Sequence, residues 1–464
     1  MAWPSATDKG RRTIFIFSTD NRMSMLVRIP PLTFCIAGLS WLILASILGV
    51  ATLVGLVQGT PLPPWVGALH VHAVLVGGVA QIILGGFIML TPPPGSAHRK
   101  EPDSHPLAFW ALNGGVVGML TGFWLHQHIV IGVAGAVVIA AFISIIYGIW
   151  IRANRAWRLS FNESWCYALS LFCLVGASVC GEIMALGFVP AFYGYARLAH
   201  IHLAVLGFVV VAIIGMVQHL LPTVWNRPHM HPRLARLGMI VMPIGMAVLI
   251  GGFLNSSVPI ELAGGGILLI GGLLWTGNVV RTWLSSPPTG GAASDHLFIS
   301  TFFLIFTITL GELVGVNRLS DPPVLPYGKL HLVAYTHMTF VGFIMNAVMG
   351  ACSYFIPVTI AAGRVPNAKK RGLYLDQLHA IMNHWSTVQI ASLSLGTMGL
   401  GLMAALTWNV PLASIYIRIA IWTSLGLLMT GLILFAVKLT LMLTNKPDSL
   451  RSGQTSTDEL KLTA

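Results

Sequence analysis

Charged side chains are scarce in this sequence. Among 464 residues, 26 are Lys or Arg and 14 are Asp or Glu, which together make up 9% of the chain, whereas 55% is hydrophobic. An ordinary soluble domain carries about 25% charged residues, so a soluble globular fold is excluded. Nucleic-acid binding is excluded with it, because that function needs a basic face on a soluble module.

Paired cysteines are also missing. The five cysteines form no CxxC pair and no CxxCH motif. The sequence therefore has no redox-active dithiol motif and no site for a covalently attached c-type haem. All five lie in apolar segments, so we expect buried thiols that pack as small hydrophobic groups.

Long apolar runs make up most of the chain. A helix needs about 20 apolar residues to cross a bilayer. The sequence has twelve such runs, near 31–57, 66–91, 107–125, 129–151, 164–189, 197–222, 235–254, 259–280, 296–316, 330–358, 384–407 and 412–436. We predict an all-α integral membrane protein with a twelve-helix membrane domain over 31–443. The tails over 1–30 and 444–464 are polar, and residues 1–30 show no cleavable signal sequence.

Basic residues are distributed unevenly between the two sides of this domain. If the N-terminus is cytoplasmic, the outer side holds only four of the 26, namely Arg197, Arg318, Lys329 and Arg418. Loops rich in Lys and Arg stay on the cytoplasmic side. The sequence therefore predicts cytoplasmic N- and C-termini in a bacterial-type inner (plasma) membrane. His229 and His296 are expected on solvated cytoplasmic loops.

One histidine-containing segment recurs three times. It reads GALHVHAVLVGGVAQIILGGFIMLTP at 67–92, LAHIHLAVLGFVVVAIIGMVQHLLP at 198–222 and VAYTHMTFVGFIMNAVMGACSYFIP at 333–357. The residue twenty positions before each final proline is a histidine; the residue two positions earlier is a histidine in two copies and a tyrosine in the third. The six residues are His72, His202 and His337, and His70, His200 and Tyr335.

Four spans separate successive copies of this segment. The spacing predicts three four-helix pseudo-repeats in parallel orientation, over about 31–151, 164–280 and 296–436, with the histidines at similar depth near the outer side. The alternative is that proline and histidine mark helix ends independently of one another.

The spacing of two also has a geometric meaning. Successive residues of an α-helix are rotated by about 100°, so residues two apart point in nearly opposite directions. His70 and His72 therefore cannot bind one small ion together, although each can face a different site. His331 lies four residues before Tyr335, on the same helix face, and could supply an imidazole near the position that lacks one.

Imidazole in a membrane helix suggests a functional site. Neutral imidazole is a good ligand for haem iron and for copper. Glu182 and Glu312 lie in the spans that precede two of the histidine helices. These carboxylates could carry protons, orient imidazoles or bind a metal, or they could be protonated and bonded to nearby backbone. Arg418 could meet a haem propionate or extend to the lipid headgroups.

Twelve spans in three units, with histidines on the second, sixth and tenth, resemble subunit I of the haem–copper oxidase superfamily. The segment AHIHLAVLGFVVVAIIGMVQHLLPTVW is most similar to the C-family cytochrome oxidases and nitric oxide reductases. It also resembles the haem- and copper-containing membrane proteins of nitric-oxide-stress defence. The resemblance implies a cytochrome oxidase subunit I-like fold that binds at least one low-spin haem b.

The resemblance also implies site residues. The low-spin haem would be held by His337 with His70 or His72, and we favour His72 because it matches His337 in the repeat. Copper would be bound by His202, with His200 as the alternative. Tyr335 occupies the position of the high-spin haem ligand, with His331 one turn away.

The sequence departs from the family at the copper centre. The family has two adjacent copper-binding histidines on its seventh helix, and the seventh span here has none. The resemblance implies an oxidoreductase that transfers electrons and could reduce oxygen or nitric oxide. Quinol or cytochrome c would supply the electrons, and further respiratory subunits would be partners. The alternative is a non-catalytic haem or copper sensor, carrier or assembly protein with the same fold. A solute transporter is a third reading, although transporters usually show twofold repeats.

Overall fold

The computed structural model describes residues 30–90, 106–156, 164–285 and 291–447. Within these ranges every regular element is helical and none is a strand. The predicted tails lie almost wholly outside them.

The helices are α1 Pro31–Gln58, α2 Pro64–His72, α3 Ala80–Leu90, α4 Pro106–Leu125, α5 His128–Ala156, α6 Ser164–Ala185, α7 Tyr193–His202, α8 Val211–Trp225, α9 Pro232–Leu254, α10 Val258–Ser285, α11 Ala292–Asn317, α12 Lys329–His337, α13 Asn346–Arg364, α14 Ala368–Asn383, α15 Ser386–Leu406 and α16 Ile415–Thr444. Three π-helical segments join some of them without a break: π1 Ala73–Val79, π2 Leu203–Val210 and π3 Met338–Met345.

Twelve helical stretches in the described ranges are long and apolar enough to cross a membrane. This confirms the predicted number, and the predicted bounds agree at most ends to within a few residues. The eleventh stretch differs, because α14 precedes α15 where the sequence suggested a loop. Asn367 caps α14 by accepting hydrogen bonds from the backbone N–H groups of Lys369 and Lys370, and the helix is polar.

The three histidine helices share an interruption. Each π segment begins at the residue directly after His72, His202 or His337. A π-helix closes i→i+5 hydrogen bonds instead of i→i+4, and such segments occur often at functional sites. The same irregularity therefore stands at the same position of all three helices.

Glycines let these helices approach their neighbours at equivalent points. Gly77 packs against Trp41, Gly207 against Cys173 and Gly342 against Phe303, so closely that a Cβ atom would overlap the partner side chain. Each glycine lies five residues after the second histidine position. The three contacts therefore lie at equivalent positions of the three histidine helices.

The arrangement of the histidine helices positions the site. We call the end of the bundle at which α2, α7 and α12 begin the histidine end. There, α2 packs mainly against α1 and α4, α7 against α6 and α9, and α12 against α15. The histidine helices meet one another further along, where α13 packs against α3 and α8. They therefore pack on one another away from the histidine end, whereas near that end each packs mainly against other spans.

Candidate functional site

The first histidine of each pair is fixed by the preceding span. The Nδ1 atom of His70 lies 2.8 Å from the carbonyl oxygen of Ala45, and that of His200 lies 2.8 Å from the carbonyl oxygen of Ala177. Glycine stands one turn after each alanine and packs on the ring, because a Cβ on Gly49 would come within 2.8 Å of His70 Cε1. Gly181 has the same relation to His200, at 3.0 Å.

The third copy keeps the glycine and changes the other partners. A Cβ atom on Gly311 would lie 3.0 Å from the hydroxyl oxygen of Tyr335. Thr307 occupies the position of the two alanines, and its buried Oγ1 atom has no hydrogen-bond partner. This copy therefore presents a phenol where the other two present an imidazole.

The second histidine of each pair is fixed by its own helix. The Nδ1 atoms of His72, His202 and His337 lie 2.7–2.8 Å from the carbonyl oxygen four residues earlier in the chain. Phenylalanine rings from the next span lie against two of them, with centroids 4.7 Å apart for Phe123 and His72 and 4.6 Å apart for Phe253 and His202.

These contacts fix the tautomer of all five imidazoles. A carbonyl oxygen only accepts hydrogen bonds, so each Nδ1 must carry the proton, and the Nε2 lone pair of the neutral ring stays available. No described residue hydrogen-bonds to any of the five Nε2 atoms. A metal-binding histidine almost always has this arrangement, with its second nitrogen bonded to a carbonyl or carboxylate.

The imidazoles meet across different helices. His72 and His200 have ring centroids 6.3 Å apart and planes inclined by 21°. His337 lies within electrostatic range of His70. His70 and His72 therefore have different partners, in agreement with the opposite directions expected from their spacing.

The two carboxylates lie on glycines of neighbouring spans. The Glu182 carboxylate packs directly on Gly135, and the Glu312 carboxylate packs directly on Gly265. Glu312 is also within electrostatic range of Tyr335. Glu182 directly follows Gly181, which packs on His200, and Glu312 directly follows Gly311, which packs on Tyr335. Each glutamate side chain therefore points to a different face of its helix from the one that contacts the histidine or tyrosine.

His331 belongs to an aromatic stack at the end of α12. Its ring lies between Tyr327 and Trp408, with centroids 6.0 Å and 5.3 Å away, and its Nδ1 accepts a 3.1 Å hydrogen bond from the backbone N–H of Gly328. Burial raises the pKa of Tyr327. Arg418 is exposed in the first turn of α16.

A buried polar chain at the other end of the bundle was not expected. His296 is fully buried, so its assignment to a solvated loop was wrong, because α11 begins four residues before it. Its Nδ1 donates to Asn346 Oδ1 at 2.8 Å, and its Nε2 accepts from Gln389 Nε2 at 2.8 Å. Lys438 donates to Gln389 Oε1 at 2.7 Å.

His229 lies on the loop between α8 and α9, as expected, but it is half-buried, with its Nε2 2.9 Å from the Gln218 carbonyl oxygen and its Nδ1 3.0 Å from Asn278 Nδ2. The amides of the buried chain were themselves a signal, since Asn346 and Gln389 are polar residues within predicted apolar spans. Such residues need internal partners in a membrane.

No three His, Cys, Asp or Glu side chains in the described ranges come close enough together to hold a metal ion. Neither a protein-family model nor a curated protein matches this chain. The candidate site therefore rests on its own geometry.

Proposed function

We propose that this chain is a haem-binding integral membrane protein of the haem–copper oxidase subunit I type. It holds a low-spin haem b and passes electrons through it. The observation that carries the proposal is the orientation of five imidazoles on three membrane helices, each with Nδ1 bonded to a carbonyl and Nε2 free.

The donor set suits haem iron. A bis-histidine haem needs two neutral imidazoles from facing helices, one on each side of the ring plane. His70 and His337 come from different histidine helices and lie within electrostatic range of each other. The ring of His72 instead lies beside that of His200, so we take His70 over His72 as the partner of His337. When bound there, haem supplies one-electron transfer, and the two histidines hold and orient it.

The repeated contacts favour the three-unit organisation of this family. The two glycine contacts of the first unit recur in the others at the same offsets, with Tyr335 in place of the first histidine in the third unit and Cys173 in place of the aromatic partner in the second, and the π segments recur with them. Near the histidine end each histidine helix packs mainly against other spans, as the binding of a planar group between the helices would require.

His202, with His200 as the alternative, is the proposed copper ligand, and Glu182 and Glu312 are the proposed groups for proton transfer if the protein reduces oxygen or nitric oxide. Quinol or cytochrome c would supply the electrons. The protein would lie in a bacterial inner membrane with both of its termini on the cytoplasmic side. Further respiratory subunits would complete the enzyme.

A non-catalytic haem sensor, carrier or assembly protein is the second candidate function. The seventh span, α9, contains no histidine, and the lack of these copper ligands favours the second candidate. A copper assay with oxygen and nitric oxide consumption separates the candidates, because only the enzyme would turn over either gas with an added electron donor.

The test of haem binding uses single variants expressed with ample haem. The pyridine haemochrome of wild-type protein should show haem b, and His337→Ala and His70→Ala should each lose the same haem. His384→Ala is the control, because that side chain is exposed at the end of α14. Wild-type protein without a Soret band, or full haem content in His337→Ala, would overturn the proposal.

A further inference from the structure

The pair formed by His72 and His200 is not accounted for by the proposed low-spin haem. Their ring centroids are 6.3 Å apart and their planes are nearly parallel. Imidazole nitrogen binds a metal at about 2.0 Å, so two rings in line on one metal have centroids about 6 Å apart. The observed separation matches that arrangement.

The two rings cannot hydrogen-bond to each other. Each Nδ1 proton is donated to a carbonyl oxygen, of Ala68 for His72 and of Ala177 for His200. Each ring therefore offers only its Nε2 lone pair, which can bind a group that accepts electron density or donates protons. A metal does the first, and a bridging water does the second.

The surroundings favour haem over a bare metal ion. Arg197 lies one turn before His200 in α7, toward the histidine end. A guanidinium disfavours an isolated cation nearby and pairs well with carboxylates such as haem propionates. Gly181 and Phe123 fix the two rings, and α2 packs mainly against α1 and α4 rather than α7.

We infer that His72 and His200 are the axial ligands of a second haem, held between the first and second histidine helices and separate from the haem of His70 and His337. The inference rests on the proposed function in one respect, which is that the chain binds haem. The pairing itself rests on different residues.

The experiment measures haem per chain in purified protein by pyridine haemochrome and amino-acid analysis. Wild type should hold two haems. His72→Gly, His200→Gly and the double variant should each hold one, because both residues serve the same haem. His70→Gly should also hold one, and combining His70→Gly with His72→Gly should remove both.

Two further readouts separate ligation from folding. Added imidazole should restore the second haem to His200→Gly, with its low-spin ferric EPR signal, because free imidazole can occupy the vacated ligand position. Arg197→Gln should lower the midpoint potential of one haem and leave the other unchanged. His384→Ala should match wild type in every measurement.

The outcomes distinguish the two proposals. One haem in wild type, retained by His72→Gly and His200→Gly, would refute the second site and leave the proposed function standing, and a bridging water would then explain the pair. Copper lost from these variants at constant haem would also refute it. A wild-type protein without haem would remove both proposals.

Discussion

Lys438 donates a 2.7 Å hydrogen bond to Gln389, although both side chains are buried within apolar helices. This bond is the first of a series of hydrogen bonds. The donor and the acceptor of each bond in the series are known, because an ammonium and an amide nitrogen only donate. The chain continues through His296 to Asn346, whose Nδ2 donates to the carbonyl oxygen of Gly342 in π3. It ties three other spans, α11, α15 and α16, to the span that contains the segment after His337.

The buried chain should make its members thermodynamically interdependent. His296→Leu leaves buried polar groups of Gln389 and Asn346 unpaired, at about 1–3 kcal/mol each. Gln389→Leu has a similar effect. The double variant should cost less than the two singles together, with a coupling of about 0.5–3 kcal/mol. Unfolding in detergent measures it, and Gln377→Leu is the control because Gln377 Oε1 is buried without a partner. Strict additivity would contradict the network.

Gly181→Ala should weaken the seat of His200. The added Cβ would lie 3.0 Å from Cε1 of the ring, and overpacking of this kind costs about 1–3 kcal/mol. We expect reduced haem content and a lower unfolding midpoint. Gly176→Ala lies on the same helix and meets nothing within 4 Å, so it should match or exceed wild-type stability. Equal behaviour of the two variants would count against the contact.

Gly265→Ala should be more damaging than Gly266→Ala. A Cβ on Gly265 would overlap the Glu312 carboxylate, whereas one on Gly266 meets nothing within 4 Å. We expect a loss of about 1–3 kcal/mol for the first variant and little change for the second. Glu312→Ala should rescue Gly265→Ala in unfolding experiments. Failure of this rescue would show that the strain lies elsewhere.

Arg364 should hold the end of the last span. It donates to the carbonyl oxygens of Leu443 and Asn445, at 2.6 Å and 2.5 Å, and to the hydroxyl of Tyr374 at 3.0 Å. Lys cannot reproduce this planar fork. Arg364→Lys should lower the free energy of local opening at 441–445 by about 1–3 kcal/mol, measured by hydrogen exchange. Arg418→Lys is the exposed control, and matching exchange rates would refute the clamp.

The spans could be predicted because crossing a bilayer imposes a length of apolar residues that local sequence shows directly. The same reasoning missed α14, since a helix that is polar along much of its length gives no apolar run. It also placed His296 on a loop, because the end of a predicted run is uncertain by about one turn, and one turn decides between solvent and a buried network.

The candidate site divides in a similar way. The spacing within each copy showed that His70 and His72 point apart, since that depends only on helical rotation. The partner of each imidazole depends on how α2, α7 and α12 are placed around one another, and no local pattern in the sequence encodes that. The π segments were missed for a related reason, because an i→i+5 ladder uses the same apolar residues as an α-helix.

The five Nδ1 hydrogen bonds all end on backbone oxygen atoms, and every residue type has a backbone oxygen. No substitution at Ala45, Ala68, Ala177, Leu198 or Val333 can delete the acceptor itself. The orientation of the five rings is therefore insensitive to point mutation at the residues that supply these carbonyl groups. It depends instead on helix register, which an insertion or deletion in the preceding turn would shift.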